Sequence, residues 1–152
     1  MKRISAFDKI EQYILSNWNT IIQFIVLSQN VSEYDPNENL ITLSFSKKKN
    51  DPIVLATLLH EIGHMMIIKE NTWSKLTIHF SSMANPFYKC KSKMRFVDII
   101  REEVLAWEVG WEVAKELKLD KSTIPWNKYH RIMKKSLWTY LKGITSIKGW
   151  NK

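Results

Sequence analysis

Leu58-Leu59-His60-Glu61-Ile62-Gly63-His64-Met65-Met66 sets two imidazoles one helical turn apart inside the most apolar run of the chain. Residues four apart share a helix face, so the rings of His60 and His64 can reach one ion between them, with Glu61 displaced around the helix beside them. With 4 histidines and 10 glutamates in 152 residues, a random shuffle yields this His-Glu-x-x-His spacing roughly 0.007 times per chain. A buried helix has no cheap way to hold two histidines and a glutamate unless they pair or bind a cation. The chemistry expected of such a spacing is specific. Zinc with three protein ligands and one open position lowers the pKa of its water to about 7. A neighbouring glutamate then takes the proton and returns it to a leaving amine.

A third ligand has to come from elsewhere. A histidine six residues past His64 would mark a metzincin, but that position is Glu70, and the glycine expected at 67 is Ile67. A glutamate after an 18-residue interval would fall on Met83, so that pattern is absent too. The later stretch Arg101-Glu102-Glu103-Val104-Leu105-Ala106-Trp107-Glu108-Val109-Gly110-Trp111 supplies better candidates. Ala106, Gly110 and Ala114 recur every four residues and make a smooth stripe on which another helix can ride closely. At helical geometry Glu103 projects within about 20° of that stripe and Glu102 about 80° away. Glu103 is therefore the favoured third ligand and Glu102 the alternative. Glu108, Glu112 and Glu116 point elsewhere and read as solvated or salt-bridged.

Outward from this centre the chain reads as α+β. Ser5 can cap a helix over 6–18, in which Ile10, Tyr13, Ile14 and Trp18 recur at helical spacing. Ile21–Leu27 is short and β-branched, which predicts a buried strand. Ser32–Asn39 is dense in turn formers. Leu40–Ser46 alternates apolar Ile41, Leu43 and Phe45 with polar Thr42, Ser44 and Ser46, predicting a strand with one wet face paired to the previous one. Asp51 suits an N-cap and Pro52 the first position of a helix to about 69. Leu76–Phe80 could form a third strand, and the region around Asn85-Pro86 and Cys90 reads as loop. Asp98 is expected to open a helix to Leu119, and a last helix covers about 126–144.

Composition bounds the rest. The mix of 45% hydrophobic and 25% charged residues is that of a globular protein, and 4 Gly and 4 Pro exclude a collagenous or linker-like chain. One cysteine, Cys90, excludes a disulfide framework or a thiolate zinc site. No uninterrupted apolar stretch approaches about 18 residues, so no membrane span is expected. Residues 1–10 do not resemble a secretory signal. The expectation is one cytoplasmic domain over 1–152. Of the net charge of +8, residues 121–152 alone contribute eight basic groups and no acid. Such an end can be a solvated lysine-rich face or can meet a polyanion. Trp138, among Arg131, Lys134, Lys135 and Lys142, could stack on a base, although packing beneath a neighbouring element is the plainer expectation.

The Leu58–His64 run, the strand pair before it and the later Glu103-Val104-Leu105-Ala106-Trp107 element resemble a small zincin metallopeptidase. The glutamate element is similar to that of the ImmA/IrrE-like and phage-encoded minimal zincins. The resemblance spans residues 20–117 as an order of elements, and about a dozen residues carry it. It implies a gluzincin arrangement with His60, His64 and Glu103 on Zn2+, Glu61 as base, and an intracellular protein or peptide as substrate. It also implies a mostly helical fold with a small sheet of two or three strands packed on the His-Glu-x-x-His helix. The chain departs from the pattern at Trp107, where asparagine is usual, and it carries neither the zinc ribbon of full-length SprT-like proteins nor a separate DNA-binding domain. A peptidase also needs an oxyanion donor, for which His79, Tyr88, Tyr129 and His130 are candidates, His130 being expected to point inward with the core. The rival reading is a basic nucleic-acid-binding or regulatory module whose zinc site is structural or vestigial.

Overall fold

Ser5 caps the first helix, α1 (Ala6–Trp18), by accepting a hydrogen bond from the Asp8 amide at 3.2 Å. The computed structural model describes residues 3–70 and 93–145, with 93–96 and 143–145 given by backbone alone. Phe7, Ile10 and Ile14 form the buried stripe of α1, and the helix ends on Asn19 in the left-handed region at φ 52°, a conformation asparagine tolerates better than most residues. Asn39, also left-handed, ties this end to the sheet. Its side chain accepts from Thr20 at 2.7 Å and donates to the carbonyls of Trp18 and Asn19.

Three strands follow: β1 (Ile21–Val26), β2 (Val31–Asp35) and β3 (Leu40–Phe45). Their order is β1-β3-β2, with β1 parallel and β2 antiparallel to the central β3. The expected pairing of β1 with β3 is present, and three sequence expectations are corrected here. Of residues 32–39, read as turn, 32–35 belong to a strand that begins at Val31, and only 36–39 form the turn. β1 is not a buried strand but an edge, with Ile21 and Val26 exposed. In β3, Ile41, Leu43 and Phe45 are buried as predicted, but Ser44 is buried as well, because it lies between Ile25 and Val31 of the flanking strands. The proposed strand at 76–80 falls outside the described residues.

Asp51 and Pro52 open α2 (Pro52–Lys69) as expected, the Asp51 carboxylate accepting from the Ile53 amide at 2.9 Å. This helix is long and apolar enough to cross a membrane by length and composition alone, but most of it is buried inside the fold. It packs across β2 and β3 and lies against α3 (Lys93–Glu116). α3 starts five residues before the expected opening at Asp98. The crossing of α2 and α3 is very close. A methyl group built on Gly63 would fall inside the Ala106 carbonyl, and one on Gly110 inside the Leu59 carbonyl. The small-residue stripe thus does what its spacing suggested. The last helix, α4 (Trp126–Thr145), lays Tyr129 and the half-buried Ile132, Met133 and Leu137 against this core. Among the described residues the chain is α+β, with four helices and a small mixed sheet.

Candidate metal centre

The close crossing brings His60 and His64 of α2 against Glu103 of α3. The two Nε2 atoms stand 3.1 Å apart, Glu103 Oε2 is 3.1 Å from His60 Nε2, and Glu103 Oε1 is 3.2 Å from His64 Nε2. Donor atoms about 2.0–2.1 Å from a tetrahedral zinc stand about 3.4 Å apart, so the triangle needs little movement to accept an ion. All three residues are buried, Glu103 completely. Two imidazole nitrogens and a carboxylate aimed at one point need a positive charge between them. A proton can serve: burial opposes a charge on His64, but Glu103, Glu102 and Glu61 outweigh it and raise the imidazole to about 10. Burial likewise opposes the Glu103 charge, yet His64 and His60 hold the carboxyl far below its ordinary range. A divalent cation meets the same need with more charge and three fitting ligands, and these residues suit one.

Each imidazole has a neighbour on the side away from the cluster. The Trp107 indole stacks on His60 with ring centroids 4.3 Å apart and planes 17° apart. Glu102 does not join the three ligands. It is buried, and its Oε1 faces His64 Nδ1 at 3.7 Å, on the side of the ring away from Glu103. The adjacent glutamates thus divide into one at the centre and one behind it, the latter facing the far nitrogen of the ring at ion-pair rather than hydrogen-bond distance. Glu108 is exposed, Glu112 pairs with Lys115, and Glu116 accepts from the Tyr13 hydroxyl at 2.8 Å.

Glu61 lies at the mouth of the cluster, only 6% exposed, and its Oε1 accepts a hydrogen bond from Ser32 at 2.7 Å. The mouth opens in two directions. A small cavity of about 140 Å³ lies on the side of Tyr34, Pro36 and Ile68, and a wider cleft of about 470 Å³ on the side of Phe45, Ile53 and Lys135. Ser32, His60, Glu61 and Tyr140 line both. The Tyr140 hydroxyl donates to Glu103 Oε1 at 3.1 Å. Burial, then the Glu103 carboxylate, push this phenol upward, so it keeps its proton.

Two of the oxyanion candidates are displaced from the site. Tyr129 is buried and donates to the Trp107 carbonyl at 2.6 Å, which pins α4 to α3. His130 is half-buried and stacks on the exposed Trp126, 4.9 Å between centroids, rather than entering the core. His79, Tyr88 and Cys90 lie outside the described residues. Trp138 is 57% exposed, so it does not pack beneath a neighbouring element. Sequence reasoning missed Ser32 and Tyr140. Tyr140 had a signal, its place on the inward stripe of α4, but nothing in the sequence places that stripe over the cluster. No protein-family model, curated protein or solved structure matches the chain.

Proposed function

We propose that the protein is a small zincin-type metallopeptidase of gluzincin arrangement, hydrolysing peptide bonds of a protein substrate with zinc held by His60, His64 and Glu103. The observation that carries the reading is the meeting of three buried ligand side chains with a fourth group, Glu61, which is turned to the open mouth and not into the triangle. Zinc bound there supplies a Lewis acid and lowers the pKa of water at its open position to about 7. The remaining work falls to the chain. Glu61 takes the proton of the attacking water and hands it to the leaving amine. Ser32 occupies one oxygen of that carboxylate at 2.7 Å and so fixes which oxygen is free for proton transfer. Tyr140 reaches the mouth as a protonated donor and is the group best placed to stabilise charge on a substrate carbonyl. The outer edge of β2 borders the small cavity through Ser32, Glu33 and Tyr34, where an extended peptide can pair with backbone groups that no described strand takes up.

The reading is tested by metal and activity together. Purified protein should carry a single equivalent of zinc that His60→Ala loses. Glu61→Gln should keep the zinc while cleavage of unfolded protein falls by about 100-fold or more. Cleavage by Glu61→Gln at the parent rate would remove the base from the scheme.

A second reading, nucleic-acid binding through α4, is favoured by the exposed Trp138, with Lys142 over its ring at 6.0 Å, on a helix whose surface also carries Lys128, Arg131 and Lys134. It requires binding to single-stranded DNA or RNA that weakens steeply with salt and with Lys128→Glu plus Lys134→Glu. Flat titrations at low salt would exclude it.

A further inference from the structure

The two openings beside Glu61 differ in size and in charge. The small cavity carries Glu33 beside Tyr34, Pro36 and Ile68 and has no lysine or arginine in its described lining, its only basic groups being the imidazoles of the cluster itself. The wide cleft has an apolar wall made by Phe45, Ile53, Trp107 and Ile132, and in its described lining one lysine or arginine, Lys135. Lys135 makes no ion pair among the described residues. Its volume of about 470 Å³ is roughly three times the 150 Å³ or so that suffices to enclose a benzene ring. It therefore holds a large side chain and part of a neighbouring residue.

We infer that this cleft is a substrate side-chain site that takes a large apolar residue against Phe45, Ile53 and Ile132 together with an adjacent acidic residue, whose carboxylate pairs with Lys135. The inference rests on the peptidase reading for the class of ligand and goes further by naming which peptides are taken and on which side of the cluster. Charge sets the direction. A carboxylate in the small cavity would meet Glu33, while in the wide cleft it meets an ammonium group, the one acid in the described lining there being Glu61, which borders both openings. The net charge of +8 draws acidic segments to the molecule as a whole, and Lys135 gives that attraction a place.

Binding, not turnover, provides the test. Zinc-loaded Glu61→Gln protein is titrated by calorimetry with end-blocked peptides, acetyl-Gly-Ala-Phe-Glu-Ala-Gly-amide and its Phe-Gln, Phe-Lys and Ala-Glu counterparts. The Phe-Glu peptide should bind tightest, the Phe-Gln peptide about three- to fivefold more weakly, as for a partly solvated ion pair. The Ala-Glu peptide should be weaker by about tenfold or more through lost apolar burial. Lys135→Gln should abolish the distinction between Glu and Gln, and Lys135→Glu should make the Phe-Lys peptide the preferred one. Equal affinity for the Glu and Gln peptides overturns the inference, as does a preference that survives both Lys135 variants or failure of all four peptides to bind at millimolar concentration. Cleavage by the parent enzyme is scored separately. A peptidase without the acidic preference sinks only this inference, and the preference without cleavage sinks only the peptidase reading.

Discussion

Gly63→Ala puts the central crossing to a direct test. In an ordinary helix interior the change stabilises by about 1 kcal/mol, because alanine loses less backbone entropy than glycine. Here the added methyl would sit inside the Ala106 carbonyl, and restoring ordinary contact moves α2 and α3 apart by more than about 1 Å. Overpacking of this kind costs about 1–3 kcal/mol, more where backbone blocks backbone and no side chain can turn away. The helix gain is outweighed, and a net loss of about 2 kcal/mol is expected in metal-free protein, seen as a fall of about 1 M in the urea midpoint. The same separation draws Glu103 away from imidazoles now 3.1 and 3.2 Å from it. Zinc affinity, measured by competition with a chelating dye, should fall by about 10- to 100-fold, the range found when the supports of a metal site are disturbed. A variant as stable as the parent with unchanged zinc affinity would refute both the closeness of the crossing and its role in assembling the ligands.

Glu102→Gln should leave the fold intact while lowering zinc affinity by about 10-fold or more, since the carboxyl group that faces His64 Nδ1 at 3.7 Å is lost; unchanged affinity in the dye competition would deny Glu102 any part in holding that ring. Tyr129→Phe removes the buried hydrogen bond to the Trp107 carbonyl and should cost about 1–2 kcal/mol in urea unfolding, whereas no loss would mean the bond contributes nothing net. Burial and Glu116 raise Tyr13 from 10.0 to about 12, so its contribution to stability is complete below pH 10 and is lost as pH rises towards 12. Tyr13→Phe should therefore shallow the alkaline decline of the urea midpoint between those values, and an unaltered slope would remove Tyr13 as a cause.

The helix that carries His60 and His64 was legible because several local signals agreed. Asp51 and Pro52 marked its start, an apolar run gave its body, and the histidine spacing fixed its functional face. The choice between Glu103 and Glu102 could also be made from angle alone, since the small-residue stripe identifies the side on which a helix rides. β2 was hidden because Ser32, Glu33 and Asp35 are poor strand formers on propensity. They are tolerated there because β2 is an edge and its side chains turn partly to solvent or towards Glu61. β1 misled in the opposite sense. Its β-branched run suggested burial, but strand propensity carries no information about whether a neighbour covers each face. Asp98 imitated a helix cap, and α3 runs through it from Lys93, a boundary that local capping chemistry cannot locate unaided. Ser32 and Tyr140 were unreadable as functional groups because their meaning arises only when distant segments meet.

The strand order has a consequence for how the molecule comes into being. β1 and β2 are made first but do not pair with each other, since β3, the last to be synthesised, lies between them. Neither early strand has a mate until the chain has passed Phe45. The two pairings then differ in reach: β2 meets β3 across the short turn at 36–39, whereas β1 must wait for a strand about 20 residues further on, so the centre of the sheet is laid down just ahead of the helix that carries the two histidines.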